Sequence, residues 1–301
     1  MTISVCIATY RRPERLDLLL RDLAAQSLLP QEVIVVDNHA EGSARGIVDT
    51  FAVAAPFAMR YEIQPVRNIA LTRNRTVALA NQEWLAFIDD DERAPADWLA
   101  QLIDAAKRYS ADGVLGPVEP VVPASAPAWI RRGRFYDFPH LPSGTPVPLN
   151  RMRFGNVILR GELVRAEPGP FNVAYELTTG EDADLLIRLM NRGALIVWSE
   201  EANVQEPIEP ARQSLGWLLQ RALSGGQEFA RKTMAGHYGP LQVHGRFTLF
   251  SRALAQLATA CLLALVTWPT GKHRGAAWLI KAAANFGKLS VFLGWRYREY
   301  A

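Results

Sequence analysis

The 301-residue chain has only two cysteines, Cys6 and Cys261, far apart in sequence. Two such thiols make neither a disulfide framework nor a cysteine-based metal site, and a reducing compartment fits them. The opening MTISVCIATYRR lacks a basic stretch followed by an apolar one, so no secretory signal is expected. G-x-x-x-x-G-K-[ST], G-x-G, H-E-x-x-H and G-x-S-x-G are all missing. That sets aside the P-loop, the dinucleotide fingerprint, the zincin helix and the nucleophile elbow. Any phosphate binding must run through a metal and side chains. There is no internal repeat and no low-complexity tract.

What is present is a chain 49% apolar and 21% charged, a composition that folds around a core. Its net charge of +3 is unevenly spread. From Arg246 onward eight Lys/Arg meet one acid, so that stretch is +7 and residues 1–245 carry +3 − 7 = −4. A basic tail on an acidic body implies an anionic surface as partner, and the body shows no nucleic-acid footprint.

Strand and helix patterns alternate. Ile3–Thr9, Glu32–Val36, Arg60–Ile63, Trp84–Ile88, Arg153–Leu159 and Ile196–Trp198 read as strands. Arg12-Pro13-Glu14 opens a helix with Leu16, Leu19, Leu20 and Leu23 on one face. Leu71–Ala80, Ala96–Tyr109, Glu181–Asn191 (stopped by Gly193) and Leu215–Met234 (weak at Gly225-Gly226) read as further helices. Pro117–Pro148 reads as an irregular segment over the active site. The fold class is α/β: a Rossmann-like, doubly wound, mostly parallel sheet with a C-terminal apolar helical region. Ligands of such sheets bind beyond the carboxyl ends of the strands, where Thr9, Asp37 and Asp89–Asp91 fall.

Asp89-Asp90-Asp91 is the sharpest feature. Three adjacent carboxylates after a buried strand repel one another unless a cation sits among them, and hard oxygen ligands suit Mg²⁺ or Mn²⁺. On a strand Asp89 and Asp91 would point to one side. The plain alternative is a solvated acidic turn. Asp37 could bind a ribose hydroxyl or a base, or simply cap a turn. Arg73 and Arg75 lie on the helix before the acidic strand, where a solvated face is the plain reading. Thr179-Gly180-Glu181-Asp182-Ala183-Asp184 opens a helix. Its acids either complement the helix dipole or supply a general base.

Leu254–Trp268 carries no charge, and Phe247–Trp268 holds one Arg in 22 residues. The turn-like Thr270–Gly275 and the apolar Ala276–Trp295, with Lys281 and Lys288, follow. A hairpin lying in or dipping into a membrane interface is expected, against a pair of core helices. The expected domains are 1–235 and 236–301.

SVCIATYRRPERL, EVIVVDN, NIALTRNRTVALA, WLAFIDDDE and TGEDADLLIRL together resemble the family-2 glycosyltransferases of GT-A fold, in that family's order over roughly residues 1–220. FIDDDE, FPHLPSGT and GALIVWSEEANVQEPI are similar to bacterial exopolysaccharide glucosyltransferases of the succinoglycan type. The resemblance implies an inverting transfer from a nucleotide-diphosphate sugar, most simply a UDP-sugar, to a glycan or polyprenyl-linked acceptor. It implies Thr9, Asp37, Arg73, Asp89 and Asp90 at the donor, with Asp91 on the metal and Asp89 beside it. Asp182 is then the base. Many relatives carry a His near Glu206, so Glu206 is a candidate metal ligand. The Q-x-x-R-W motif of processive synthases is missing, which implies single addition. The expected place is the cytoplasmic face of the inner membrane. The rivals are a nucleotidyltransferase acting on sugar phosphates, which would show a Gly/Arg/Lys-rich N-terminal loop, and a non-catalytic sugar-binding module.

Overall fold

The computed structural model describes residues 1–152, 154–175, 180–239, 244–295 and 297. Arg153, Thr179 and the tail charges Arg296, Arg298 and Glu299 lie outside the described residues. The chain starts with β1 (Ile3–Thr9), α1 (Pro13–Ala24), β2 (Glu32–Asp37) and α2 (Arg45–Ala52). Next come β3 (Ala58–Ile63), α3 (Ile69–Leu79), β4 (Trp84–Ile88) and α4 (Trp98–Arg108). Then follow β5 (Gly113–Leu115), β6 (Val118–Val121), α5 (Ala128–Gly133), β7 (Asn156–Arg160) and α6 (Gly161–Arg165). The remaining elements are α7 (Glu181–Asn191), β8 (Ile196–Trp198), β9 (Val204–Pro207), α8 (Leu215–Met234), α9 (Gly245–Thr267) and α10 (Lys272–Phe292).

Seven strands form one sheet in the order β3-β2-β1-β4-β7-β5-β8. β1 runs parallel to β2 and β4, and β2 to β3. β7 is antiparallel to both β4 and β5, and β8 is parallel to β5. All six residues of β2 are buried, as a strand covered on both faces requires. Val33 and Val35 join the apolar layer of Leu16, Leu19 and Trp98 on one face. Ile34 and Val36 join that of Ala70, Leu185 and Phe87 on the other, which is the two-residue period of a strand. Pro13 starts α1, and Leu16, Leu19, Leu20 and Leu23 form its buried stripe as the spacing predicts.

Three asparagines set the geometry of the site. Asn68 caps α3: its side chain accepts from the Ala70 and Leu71 N–H groups at 2.9 and 3.2 Å. The Asn68 N–H donates to Asn38 Oδ1 at 2.9 Å, while Asn38 Nδ2 donates to the Gln64 and Val66 carbonyls. The end of β2 is thereby fastened to the start of α3. The buried Asn156 accepts from Trp98 Nε1 at 2.8 Å and donates to the Pro117 and Ala202 carbonyls, so its amide is satisfied.

The chain divides into two compact units. One comprises 1–120, 138–176 and 181–207; the other comprises 121–137, 177–180 and 208–301. Within the second unit α8 packs on α10. A Cβ at Gly226 would stand 2.0 Å from the Ala284 carbonyl oxygen, and one at Gly287 would stand 2.2 Å from that of Leu223. Gly226 is therefore a backbone contact within an unbroken helix, not a weak point. In the same unit Ala126, Ile130 and Leu218 pack together, which draws in part of the segment expected to be irregular. Gly245–Thr270 is long and apolar enough to cross a membrane. On α9 the buried residues are Ala253, Ala260 and Ala264, while Leu262 and Leu265 are 61% and 75% exposed.

Candidate active site

β1, β2 and β4 bring their carboxyl ends to one rim. The chain leaves β4 at Ile88 and closes a turn in which the Glu92 N–H donates to the Asp89 carbonyl at 3.1 Å. This corrects the expectation that strand alternation aims Asp89 and Asp91 together. A turn, not a pleat, places these carboxylates. Asp89 meets Arg73 Nη2 at 3.2 Å. Asp90 and Asp91 share a single nitrogen, Arg12 Nη1, at 3.0 and 2.9 Å.

Thr9 Oγ1 donates to Asp90 Oδ2 at 2.7 Å, and both residues are buried. Expected at the nucleotide, they hold each other and fasten β1 to the acidic turn. Burial pushes the Asp90 carboxyl up to about 6, against the pull of Arg12. Asp37 is likewise enclosed. It accepts from the His39 and Ala44 N–H groups, the Ser43 hydroxyl and the Tyr61 hydroxyl. That fills a carboxylate's acceptor capacity, so Asp37 shapes the loop after β2. In the same contact burial first, then Asp37, raises the Tyr61 hydroxyl's pKa well above its usual value.

Arg73 projects from α3 into the middle of the cluster. Its Nη1 lies 2.7 Å from Glu181 and 3.5 Å from Asp182, and its guanidinium carbon sits 4.9 Å above the Phe154 ring. Glu181 and Asp182 occupy the first turn of α7, where the helix dipole favours acids. The two differ in access: the Glu181 side chain is 5% exposed and the Asp182 side chain 28%. Arg75 points elsewhere, to Glu62.

Glu206 arrives on β9, which a bridge between Arg93 and Gln205 docks beside the acidic turn. The Asp89 carboxyl is raised by the protein packed round it, although 47% of its side chain is open. Arg73 opposes that rise, and Asp91, Asp182 and Glu206 add to it. Glu92 is raised well above the usual range, by burial and then by Asp89, Glu206 and Asp91. Its Oε2 accepts from the Asp89 N–H at 3.1 Å. Gly155 makes room for this crowd, since a Cβ there would stand 2.3 Å from Glu92 Oε1.

Seven acids, Asp89 to Asp91, Glu92, Glu181, Asp182 and Glu206, thus gather round two guanidiniums, Arg12 and Arg73. Such an excess of hard oxygen donors fits a divalent cation. Among the described residues no three His, Cys, Asp or Glu side chains close into a cage.

Sequence reasoning missed Arg12, Glu92 and a cationic patch beyond β1. There Arg11 and Arg67 lie 5.5 and 5.0 Å from the Tyr10 ring, and His39 meets that ring edge-on at 5.8 Å. Arg11 takes φ +54°, a left-handed conformation rare outside glycine. The available signal was Tyr10-Arg11-Arg12 directly after the strand that carries Thr9.

A mostly parallel sheet with an acidic turn and a Glu-Asp helix start at its carboxyl rim defines a GT-A glycosyltransferase. The chain belongs to glycosyl transferase family 2, whose model matches residues 4–159. It is 32% identical to the succinoglycan biosynthesis protein ExoM of Rhizobium meliloti (strain 1021), over 97% of this chain and 93% of that protein. It is 26% identical to the glucosyl-dolichyl phosphate glucuronosyltransferase of Haloferax volcanii, over 75% of each. The mannosyltransferase PcManGT of Pyrobaculum calidifontis, solved with GDP-Man and Mn²⁺, superposes with a TM-score of 0.62 at 20% identity, covering 95% of this chain and 86% of that one. Residues 1–349 of S. aureus TarS with UDP superpose with a TM-score of 0.56 at 16% identity, covering 99% and 93%.

Proposed function

We propose that this glycosyltransferase moves a hexose from a UDP-sugar to a lipid-linked saccharide at the cytoplasmic face of the membrane, one sugar per acceptor, in cell-surface polysaccharide synthesis. The observation that carries the chemistry is the position of Asp182. It is the more open of two adjacent acids, beside the carboxylates of Asp89 and Glu181 that Arg73 also meets. Similarity to a succinoglycan biosynthesis protein along nearly the whole chain supports the polysaccharide role. The apolar α9 and the +7 stretch that begins at Arg246 support work at a lipid surface.

Asp91, with Asp89 and Glu206 near it, would hold Mg²⁺ or Mn²⁺, which when bound offsets charge on the departing diphosphate. Tyr10 offers a ring to the base, and Arg11 and Arg67 offer charge to the phosphates. Arg73 holds Glu181 and Asp89 in place. Asp182 accepts the proton of the acceptor hydroxyl as its oxygen bonds to the anomeric carbon. The bond from that carbon to the diphosphate breaks on the opposite side, so configuration inverts.

The test is a thermal-shift screen of UDP-, GDP- and dTDP-sugars with Mn²⁺ or Mg²⁺, with and without chelator. Stabilisation by a UDP-sugar that chelator removes is expected. A shift with GDP- or dTDP-sugars alone replaces the donor, and no shift with any of them counts against the reading.

A further inference from the structure

We propose that Glu228 of α8 is a positioning residue for Asp182: it fixes the glycine through which the chain enters α7. This rests on the reading that Asp182 is the base.

The link begins at Gly180, the residue before α7. Its φ is +112°, in the region that favours glycine. A Cβ there would stand 2.9 Å from both Cδ and Oε1 of Glu228 and 3.0 Å from its Cγ. The three atoms nearest to that point thus all belong to Glu228, whose carboxyl group lies against the bare face of the glycine. Glycine turns more freely than any other residue, so its conformation is set by what packs on it.

Glu228 is itself held. Lys232, one turn further along α8, meets Glu228 Oε1 at 2.5 Å, and the lysine side chain is only 2% exposed. An ammonium group that deep needs a counter-charge, so the pair is fixed from the lysine side. The two residues before Glu228 are anchored too. At Gly226 the α8 backbone touches that of α10, where a Cβ would meet the Ala284 carbonyl oxygen at 2.0 Å. The buried Gln227 donates to Ser290 Oγ at 2.7 Å and to the Trp295 carbonyl at 3.1 Å. The part of α8 that carries Glu228 is the part clamped to α10.

Two residues beyond Gly180 lies Asp182. Its carboxylate accepts from the N–H of the next residue, Ala183, at 2.6 Å, so its placement follows the backbone of the first turn of α7. A rotation at Gly180 turns that backbone, and a reacting group displaced by about 1 Å loses up to about a hundredfold in rate. An i, i+4 ion pair adds little to a helix, and a buried pair is often replaceable by apolar side chains. A carboxyl group set on the glycine before the base has a use beyond support of α8.

The test measures UDP release by the full-length protein from UDP-glucose, with membrane-extracted lipid-linked saccharides as acceptor. Glu228→Ala should lower kcat about ten- to a hundredfold and change the donor KM less than about twofold. The donor-induced thermal shift should survive. In an Asp182→Asn background the same substitution should lower the residual kcat less than about twofold, because the group it positions is gone. A merely structural role would lower kcat alike in both backgrounds. Glu228→Gln, which keeps the bulk against Gly180, should retain most of the wild-type kcat. Should Glu228→Ala fail to fold with Lys232 left unpaired, Glu228→Ala combined with Lys232→Met removes the stranded charge and should show the same loss of kcat. Wild-type kcat in a folded variant, or equal loss in both backgrounds, overturns the proposal. Near-wild-type kcat in Asp182→Asn alone overturns the base and the proposal together.

Discussion

Arg73 and Glu181 form the buried ion pair on which the active site is assembled, with Nη1 and Oε1 at 2.7 Å between α3 and the first turn of α7. Both are shielded from water, so removing one partner leaves the other's charge in a buried site. Arg73→Met should cost roughly 3–5 kcal/mol and lower Tm, because Glu181 is left charged in a buried site. Glu181→Met in the same chain should restore much of that Tm without restoring transfer. A single mutant as stable as wild type in a denaturant melt would remove the pair from this role.

Asp182 and Glu181 are neighbours with separable roles. Asp182→Asn keeps the shape of a half-exposed side chain and removes its basicity. The turnover rate should fall at least about a hundredfold, the usual share of a general base, while the donor-induced thermal shift persists. Glu181→Gln should mainly lower Tm and disturb donor binding, through Arg73. If Asp182→Asn turns over near the wild-type rate, the base is another residue.

Gly155 answers to space rather than to backbone freedom. An added Cβ would meet Glu92 Oε1 at 2.3 Å and Asp89 Oδ2 at 3.3 Å. Gly155→Ala should therefore push the acidic turn outward, cost about 1–3 kcal/mol and reduce transfer. Glu92→Ala added to it should recover stability by vacating the contact. Stability that does not recover in the double mutant would point to the backbone instead.

Much of this was written in the sequence. EVIVV is a strand because it is buried on both faces, and the Leu16–Leu23 stripe is a helix because its period is helical. Asp182 and the Asp triplet stand out because acids near buried elements need a reason. Which side chains meet these carboxylates was not legible. Arg12, Thr9 and Tyr61 come from 78, 81 and 24 residues away to close on Asp90 and Asp37, and no local pattern announces such partners. Nor was the place of α8: Gly225-Gly226 looks like a break until Ala284 is seen against Gly226. Glycine in a helix reads as weakness locally and as close packing only in three dimensions.

The two cysteines should behave oppositely. Cys6 lies inside β1, where burial pushes the thiol from 9.0 up to about 12, against the pull of its hydrogen bond with Thr76. Cys261 is exposed on the apolar side of α9. A maleimide at neutral pH should label one thiol, Cys261, and spare Cys6 until the protein unfolds. Vesicles of anionic lipid should then protect Cys261 as well, because that side of α9 would be covered. For Cys6 the folded state holds its proton more tightly than the unfolded state. Stability should thus fall as pH rises from about 9 toward 12, where only the unfolded thiol ionises. Cys6→Ala should flatten this alkaline slope, at some cost in packing at every pH. Rapid labelling of Cys6 in the native protein would show that β1 opens to solvent. Cys261 labelling unaffected by vesicles would show that α9 does not meet the membrane with this side.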